Sequence, residues 1–184
     1  GPGAFHQGTG GELEVAASPA LQPFQDAFHR AGLPLMARTD MTAVQWAKLL
    51  LNLNNAINAL ANRPLKEELS QRAYRRCLAL AQTEALRLLS GAGIQPARLT
   101  PVPPAWMPRL LATPDALFAR LAGRMLAIDP LARSSMSDDL AAGRATEVDW
   151  INGEVVRLAE RLGRHAPVAG TYRPFDDDAL EWSV

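Results

Sequence analysis

From Asp40 to Gly163 the apolar residues recur at helical spacing, and the pattern stops only where proline, glycine or a polar cluster interrupts it. That restricts the bulk of the chain to helices packed on helices. The spacing predicts a helix from Asp40, a plausible N-cap, to about Asn62, closed by Arg63-Pro64. A long helix follows from about Lys66 to Ser90, ended by Gly91 and Gly93. Pro96 to Pro104 can only be a non-helical connection. Helices resume over roughly Ala105–Leu111 and Thr113–Met125. Asp129-Pro130 and Ser134-Ser135 mark a loop, then a short helix carries Asp138, Asp139 and Leu140. The last helix spans about Glu147 to Leu162, stopped by Gly163. The expected fold class is mainly α.

The first forty residues differ. Gly8-Thr-Gly-Gly11 is turn-rich, and Glu12-Leu-Glu-Val-Ala16 alternates as a short strand does. Ser18-Pro19 reads as a capped helix start, with Gly32 near the end of that helix, and Leu33-Pro-Leu-Met-Ala37 as a second extended segment. This α/β pattern resembles the last part of a larger α/β domain. The expected organisation is an α/β remnant over residues 1–39, a helical domain over 40–166 and an exposed tail over 167–184, through Asp176-Asp-Asp178.

Acidic and basic residues balance at 19 each, so no net field recruits nucleic acid or an anionic membrane surface. No apolar run approaches the roughly 20 residues that span a bilayer. The single cysteine, Cys77, excludes an internal disulfide, and His6, His29 and His165 are not spaced as metal ligands. A cytoplasmic protein without a metal site is the expectation.

Within the first long helix sits Lys48, one of two lysines in a chain with seventeen arginines. Lysine is a compact charge that can release its proton, which arginine does not do. At ~100° per residue, Lys48, Asn52, Asn55 and Asn62 share one face, with Asn58 at its edge. Five asparagines between Asn52 and Asn62 are costly for a helix, because asparagine competes with the backbone for hydrogen bonds. They are either a polar groove that orients a ligand beside an ammonium, a solvated face, or buried amides bridging helices. The interleaved leucines and Trp46 argue against the solvated face.

A second polar segment runs Ser134-Ser-Met-Ser-Asp-Asp139, then Arg144-Ala-Thr-Glu-Val-Asp-Trp-Ile-Asn-Gly153. Thr146 is a candidate helix cap, and Glu147 would gain from the helix dipole. Gly153 inside a helix costs about 1 kcal/mol relative to alanine and marks a close approach. Packing and capping account best for Asp149, Asn152 and Gly153, whereas Ser135 and Glu147 are the better ligand contacts.

Taken together, Trp46-x-Lys48-x-x-x-Asn52, Ser134-Ser-Met136-x-x-Asp139 and Arg144-x-Thr-Glu-Val-Asp149-x-Ile-Asn-Gly153 resemble the ketopantoate reductase (2-dehydropantoate 2-reductase) family over about residues 1 to 165. The resemblance implies the all-helical C-terminal domain of a 6-phosphogluconate-dehydrogenase-like reductase, preceded by the end of a Rossmann domain. It implies NADPH as cofactor, held mostly by a glycine-rich turn that this sequence lacks, and hence a C-terminal piece that is inactive alone. By the same resemblance Lys48 is the proton donor to the substrate carbonyl. Asn52 and Ser135 bind substrate, and Glu147 contacts the nicotinamide ribose and helps organise the site. A second substrate asparagine is expected where this chain has Ala56; Asn55 stands beside it as a substitute. A third polar contact near Lys66 is not matched. Those departures bear on which 2-oxo acid is bound rather than on the reaction. The other outcomes are a reductase for a different 2-oxo acid, or a helical interaction module whose apolar helices form a homodimer without catalysis.

Overall fold

The computed structural model describes residues 13–123 and 129–172. The turn-rich start, the end of the expected helix at Met125 and the acidic tail segment lie outside them. The chain divides into two compact units, residues 1–42 and 43–184.

In the first unit, β1 (Leu13–Ala16) and β2 (Leu35–Arg38) pair in parallel, with Leu13 opposite Leu35, and α1 (Gln22–Arg30) connects them. Ser18 accepts the Ala20 amide ahead of a one-turn 3₁₀ segment, Pro19–Leu21, that leads into α1. Gly32 ends this crossover with φ +73°, a conformation that suits glycine. None of the described residues of this unit is buried. Its described residues form a βαβ element with no buried side chain among them.

The second unit is helical: α2 (Met41–Asn52, its first turn at the unit boundary), α3 (Asn54–Ala61), α4 (Leu65–Ser70), α5 (Arg72–Gly91), α6 (Met107–Leu111), α7 (Asp115–Leu121), α8 (Ser135–Ala141), α9 (Val148–Arg161) and α10 (Pro167–Thr171). α5 is the spine, contacting α3, α4, α6, α9 and α10. Leu53, Leu89, Leu111, Phe118 and Val155 are almost wholly excluded from solvent in one core. The proline-rich connection crosses the start of α2, where the Ala97 amide donates to the Ala43 carbonyl at 2.9 Å. Among the described residues no helix is long and apolar enough to cross a membrane.

Three expectations change. The helix over 40–62 steps at Leu53, within the asparagine-rich stretch where helix propensity is lowest. The helix over 66–90 is two helices, broken at Gln71, whose backbone is extended. Arg75 explains that break. Its guanidinium is fully buried and donates to the carbonyls of Leu69 (2.9 Å), Leu111 (3.1 Å) and Thr113 (2.8 Å). It also pairs with Asp115 at 2.8 Å and lies 4.1 Å from the centre of the Phe118 ring. The Leu69 carbonyl, which a continuous helix would offer to the amide four residues on, serves this knot instead. The third change concerns the tail. Its first residues form α10, whose Val168 and Ala169 amides donate to Glu84 at 3.0 and 2.8 Å, and Ala169 is buried. The helical unit therefore extends beyond residue 166.

Candidate active site

Four helices carry the candidate residues. α2 buries Val44, Trp46, Ala47 and Leu50 and turns Lys48 out to solvent. Among the described residues the Lys48 ammonium makes no hydrogen bond or ion pair. Asn52, one turn on, and Asn55, at the start of α3, are half-buried. Asn62 leaves this face. It follows α3 in a left-handed conformation, φ 48°, and its Oδ1 accepts from Arg133 at 2.8 Å.

α3 packs on α8, and the junction is built from hydrogen bonds. Ser134 caps α8 by accepting the Ser137 amide at 3.2 Å, while its hydroxyl donates to the Asn55 carbonyl at 3.2 Å. Ser135 follows as the first residue of α8, exposed, with its hydroxyl 3.5 Å from the Glu147 carboxylate. Glu147, not Thr146, occupies the N-cap position of α9, and its side chain makes no capping bond. Its acceptor oxygens stay available at the surface. The structure thus brings Ser135 and Glu147 together and fixes Ser134, the preceding residue, against the backbone of Asn55. No hydrogen bond joins Lys48 or Asn52 to them.

The remaining asparagines are structural. Asn58 is fully buried, accepts the Ser134 amide at 2.9 Å, and donates to Glu68 at 2.6 Å and to the Arg63 carbonyl at 2.9 Å. Asn54 donates to the same Glu68 oxygen at 3.4 Å. Burial raises the Glu68 carboxyl above its ordinary range, against the lowering effect of Asn58 and then Asn54. The buried amide bridge, one of the alternatives in the sequence, is therefore present at Asn54 and Asn58, while Asn52 and Asn55 stay half-buried. Asn152 and Gly153 are buried in α9, the Asn152 amide without a hydrogen-bond partner among the described residues, while Asp149 is exposed. The helical interface residue Glu68, and Asn58 as its partner, carry no local sequence signal; only their contact across α3 and α4 reveals them. Among the described residues no group of three or more His, Cys, Asp or Glu side chains could hold a metal ion.

The family model for the ketopantoate reductase PanE/ApbA C-terminal domain matches residues 40–172, a span that contains all of these helices and ends just after α10. The chain belongs to this family. Its curated relatives include 2-dehydropantoate 2-reductases from Caulobacter vibrioides, 27% identical over 90% of this chain and 51% of the relative, and from Pyrobaculum aerophilum, 29% identical over 90% of this chain and 55% of the relative. The chain therefore spans about half the length of the curated relatives it matches. The same fold occurs in a PanE/ApbA family ketopantoate reductase from Ralstonia eutropha JMP134, with a TM-score of 0.68 at 23% identity over 88% of this chain and 49% of the other. It also occurs in D-mandelate dehydrogenase solved with NADH and anilino(oxo)acetate, with a TM-score of 0.63 at 17% identity over 83% of this chain and 45% of that one. A dimeric ketopantoate reductase from Staphylococcus aureus shares it too, at a TM-score of 0.64 and 16% identity, covering 86% of this chain and 50% of the other.

Proposed function

We propose that this chain is the substrate-binding and proton-donating half of an NADPH-dependent 2-oxo acid reductase, with ketopantoate as the substrate. The observation that carries the reading is Lys48: an exposed lysine with no partner among the described residues, on a buried helix, one turn before Asn52, in a chain of the ketopantoate reductase family. A surface lysine kept free of ion pairs can approach a ligand without first breaking a bond.

In this reading the Lys48 ammonium lies against the substrate's carbonyl oxygen. It stabilises the negative charge that develops there on reduction and then transfers its proton. Asn52, Asn55 and Ser135 supply neutral hydrogen bonds that hold the 2-oxo acid with one face presented for reduction. Glu147 suits a nicotinamide coenzyme on this structure's own chemistry: its exposed carboxylate is uncommitted to helix capping and can accept from ribose hydroxyls. The coenzyme, when bound, supplies the hydride. Most of its site would lie on a Rossmann domain preceding Asp40, of which the βαβ unit would be the last part. Parallel sheets are ordinarily covered on both faces, and none of the described residues there is buried. The chain alone is accordingly expected to be inactive. A cytoplasmic setting and a homodimer belong to the same reading.

A different 2-oxo acid is the second reading: Ala56 stands where the resemblance implies an asparagine, at a position buried in the helical core, and the fold is shared with a D-mandelate dehydrogenase. Assay of the full-length protein with ketopantoate and a panel of other 2-oxo acids, each with NADPH, separates the two. The largest kcat/KM with ketopantoate supports the first reading; turnover confined to another 2-oxo acid replaces it.

A further inference from the structure

The structure points to Asn58 as a positioning residue for Ser135, so that a fully buried amide with no path to solvent sets how the substrate's polar end is held. This inference rests on the reading of Ser135 as a substrate contact.

The orientation of the Asn58 amide is dictated by its surroundings. Its Nδ2 faces two acceptors, Glu68 at 2.6 Å and the Arg63 carbonyl at 2.9 Å, which use both of its donor hydrogens. Its Oδ1 faces a donor, the Ser134 amide, at 2.9 Å. A flipped amide would set donor against donor at Ser134 and acceptor against acceptor at the Arg63 carbonyl. One side chain thus joins α3, the start of α4 and the loop that enters α8.

The loop is clasped from the same side by other bonds. Leu65 donates to the Ala132 carbonyl at 2.8 Å, Arg133 reaches Asn62 at 2.8 Å, and the Ser134 hydroxyl reaches the Asn55 carbonyl at 3.2 Å. Of these, the Asn58 bond is the one made by a side chain wholly removed from water, where competition from solvent is absent and an orphaned partner is most costly. Ser135 is the next residue along the chain from the amide that Asn58 holds. Its hydroxyl direction toward Glu147, at 3.5 Å, follows from where Ser134 is pinned. Asn55 lies one turn before Asn58 on α3. The two proposed substrate contacts, Asn55 and Ser135, are therefore referenced to each other through a side chain that touches neither ligand nor solvent.

The test is a double-mutant cycle in the full-length protein, reading kcat and KM for ketopantoate in wild type, Ser135→Ala, Asn58→Ala and the double variant, at a temperature where circular dichroism shows each folded. Ser135→Ala is expected to raise KM on the order of tenfold, as loss of one good hydrogen bond does. Asn58→Ala should raise KM by a similar factor with a smaller change in kcat, and the double variant should be no more than about twofold worse than either single one. Multiplying effects, or an Asn58→Ala protein of lowered melting temperature whose KM is unchanged, overturn the inference and leave Asn58 a purely structural tie. A wild type that reduces no 2-oxo acid, or a Ser135→Ala variant of unchanged KM, overturns the functional reading itself and the positioning role with it. If Asn58→Ala does not fold, Ser134→Ala cannot take its place, because it keeps the backbone amide that Asn58 holds. The fallback is instead Asn58→Leu, which keeps the buried volume while removing the acceptor for the Ser134 amide, and the same non-additivity with Ser135→Ala is required.

Discussion

Arg75 and Lys48 are both cations on the helices of one small unit, and the protein treats them in opposite ways. Arg75 is wholly buried, and its guanidinium is consumed by three carbonyls, one carboxylate and an aromatic face. Lys48 is exposed, with no partner among the described residues. A charge whose bonds are all spent internally holds the fold together. A charge left without bonds is available to something that arrives. The same division separates the asparagines: Asn54 and Asn58 are spent on Glu68, whereas Asn52 and Asn55 are half-buried.

The largest effect should come from breaking the spent side of that comparison. Arg75→Ala removes a large buried side chain and orphans three carbonyls, and is expected to cost about 4 kcal/mol of stability. Urea unfolding of the helical unit measures it, and a loss below about 1 kcal/mol would mean that the knot is incidental. Glu84→Ala strips the bonds to Val168 and Ala169 and should cost about 1–2 kcal/mol, typical of a lost cap. Selective loss of protection at the α10 amides in hydrogen exchange checks it.

Glu68 gives a subtler contrast. Its carboxyl titrates above the ordinary range because it is buried, so the native state keeps a proton that the unfolded chain releases. The stability this provides is complete below the unfolded value and is lost as pH rises through the raised folded one. Glu68→Gln, which copies the protonated form, should flatten the decline in melting temperature across that window. An unaltered pH profile would show that Glu68 is not the group responsible. Smallest of all is the expected effect of Lys48→Ala on stability, within about 0.5 kcal/mol, because nothing in the fold depends on its ammonium.

The helical architecture was legible because it rests on local periodicity and on prolines and glycines that act where they stand. The step at Leu53 and the break at Gln71 were not. The second depends on Arg75 drawing in the Leu69 carbonyl, a tertiary bond with no local signature. α10 was missed for the same reason: Pro167–Thr171 is too short to hold itself, and its cap comes from a residue 84 positions earlier. The Lys48 face came from helical spacing and the separate roles of Ser135 and Glu147 from motif resemblance, while their approach to 3.5 Å appears only in the structure. What spacing could not do was sort Asn55 from Asn58, since both fall near one helical face and only burial against α4 and α8 decides which is scaffold. Asn62 was misplaced because the helix ends before it.

The contrast between spent and unspent charge is tested most directly by NADPH oxidation in the full-length protein with ketopantoate, comparing wild type with Lys48→Ala. The account predicts turnover by the wild type and a fall in kcat of roughly 10²–10⁴-fold in the variant, the range expected for loss of a proton donor, at unchanged melting temperature. Equal turnover by both proteins would contradict it and return Lys48 to the ordinary surface.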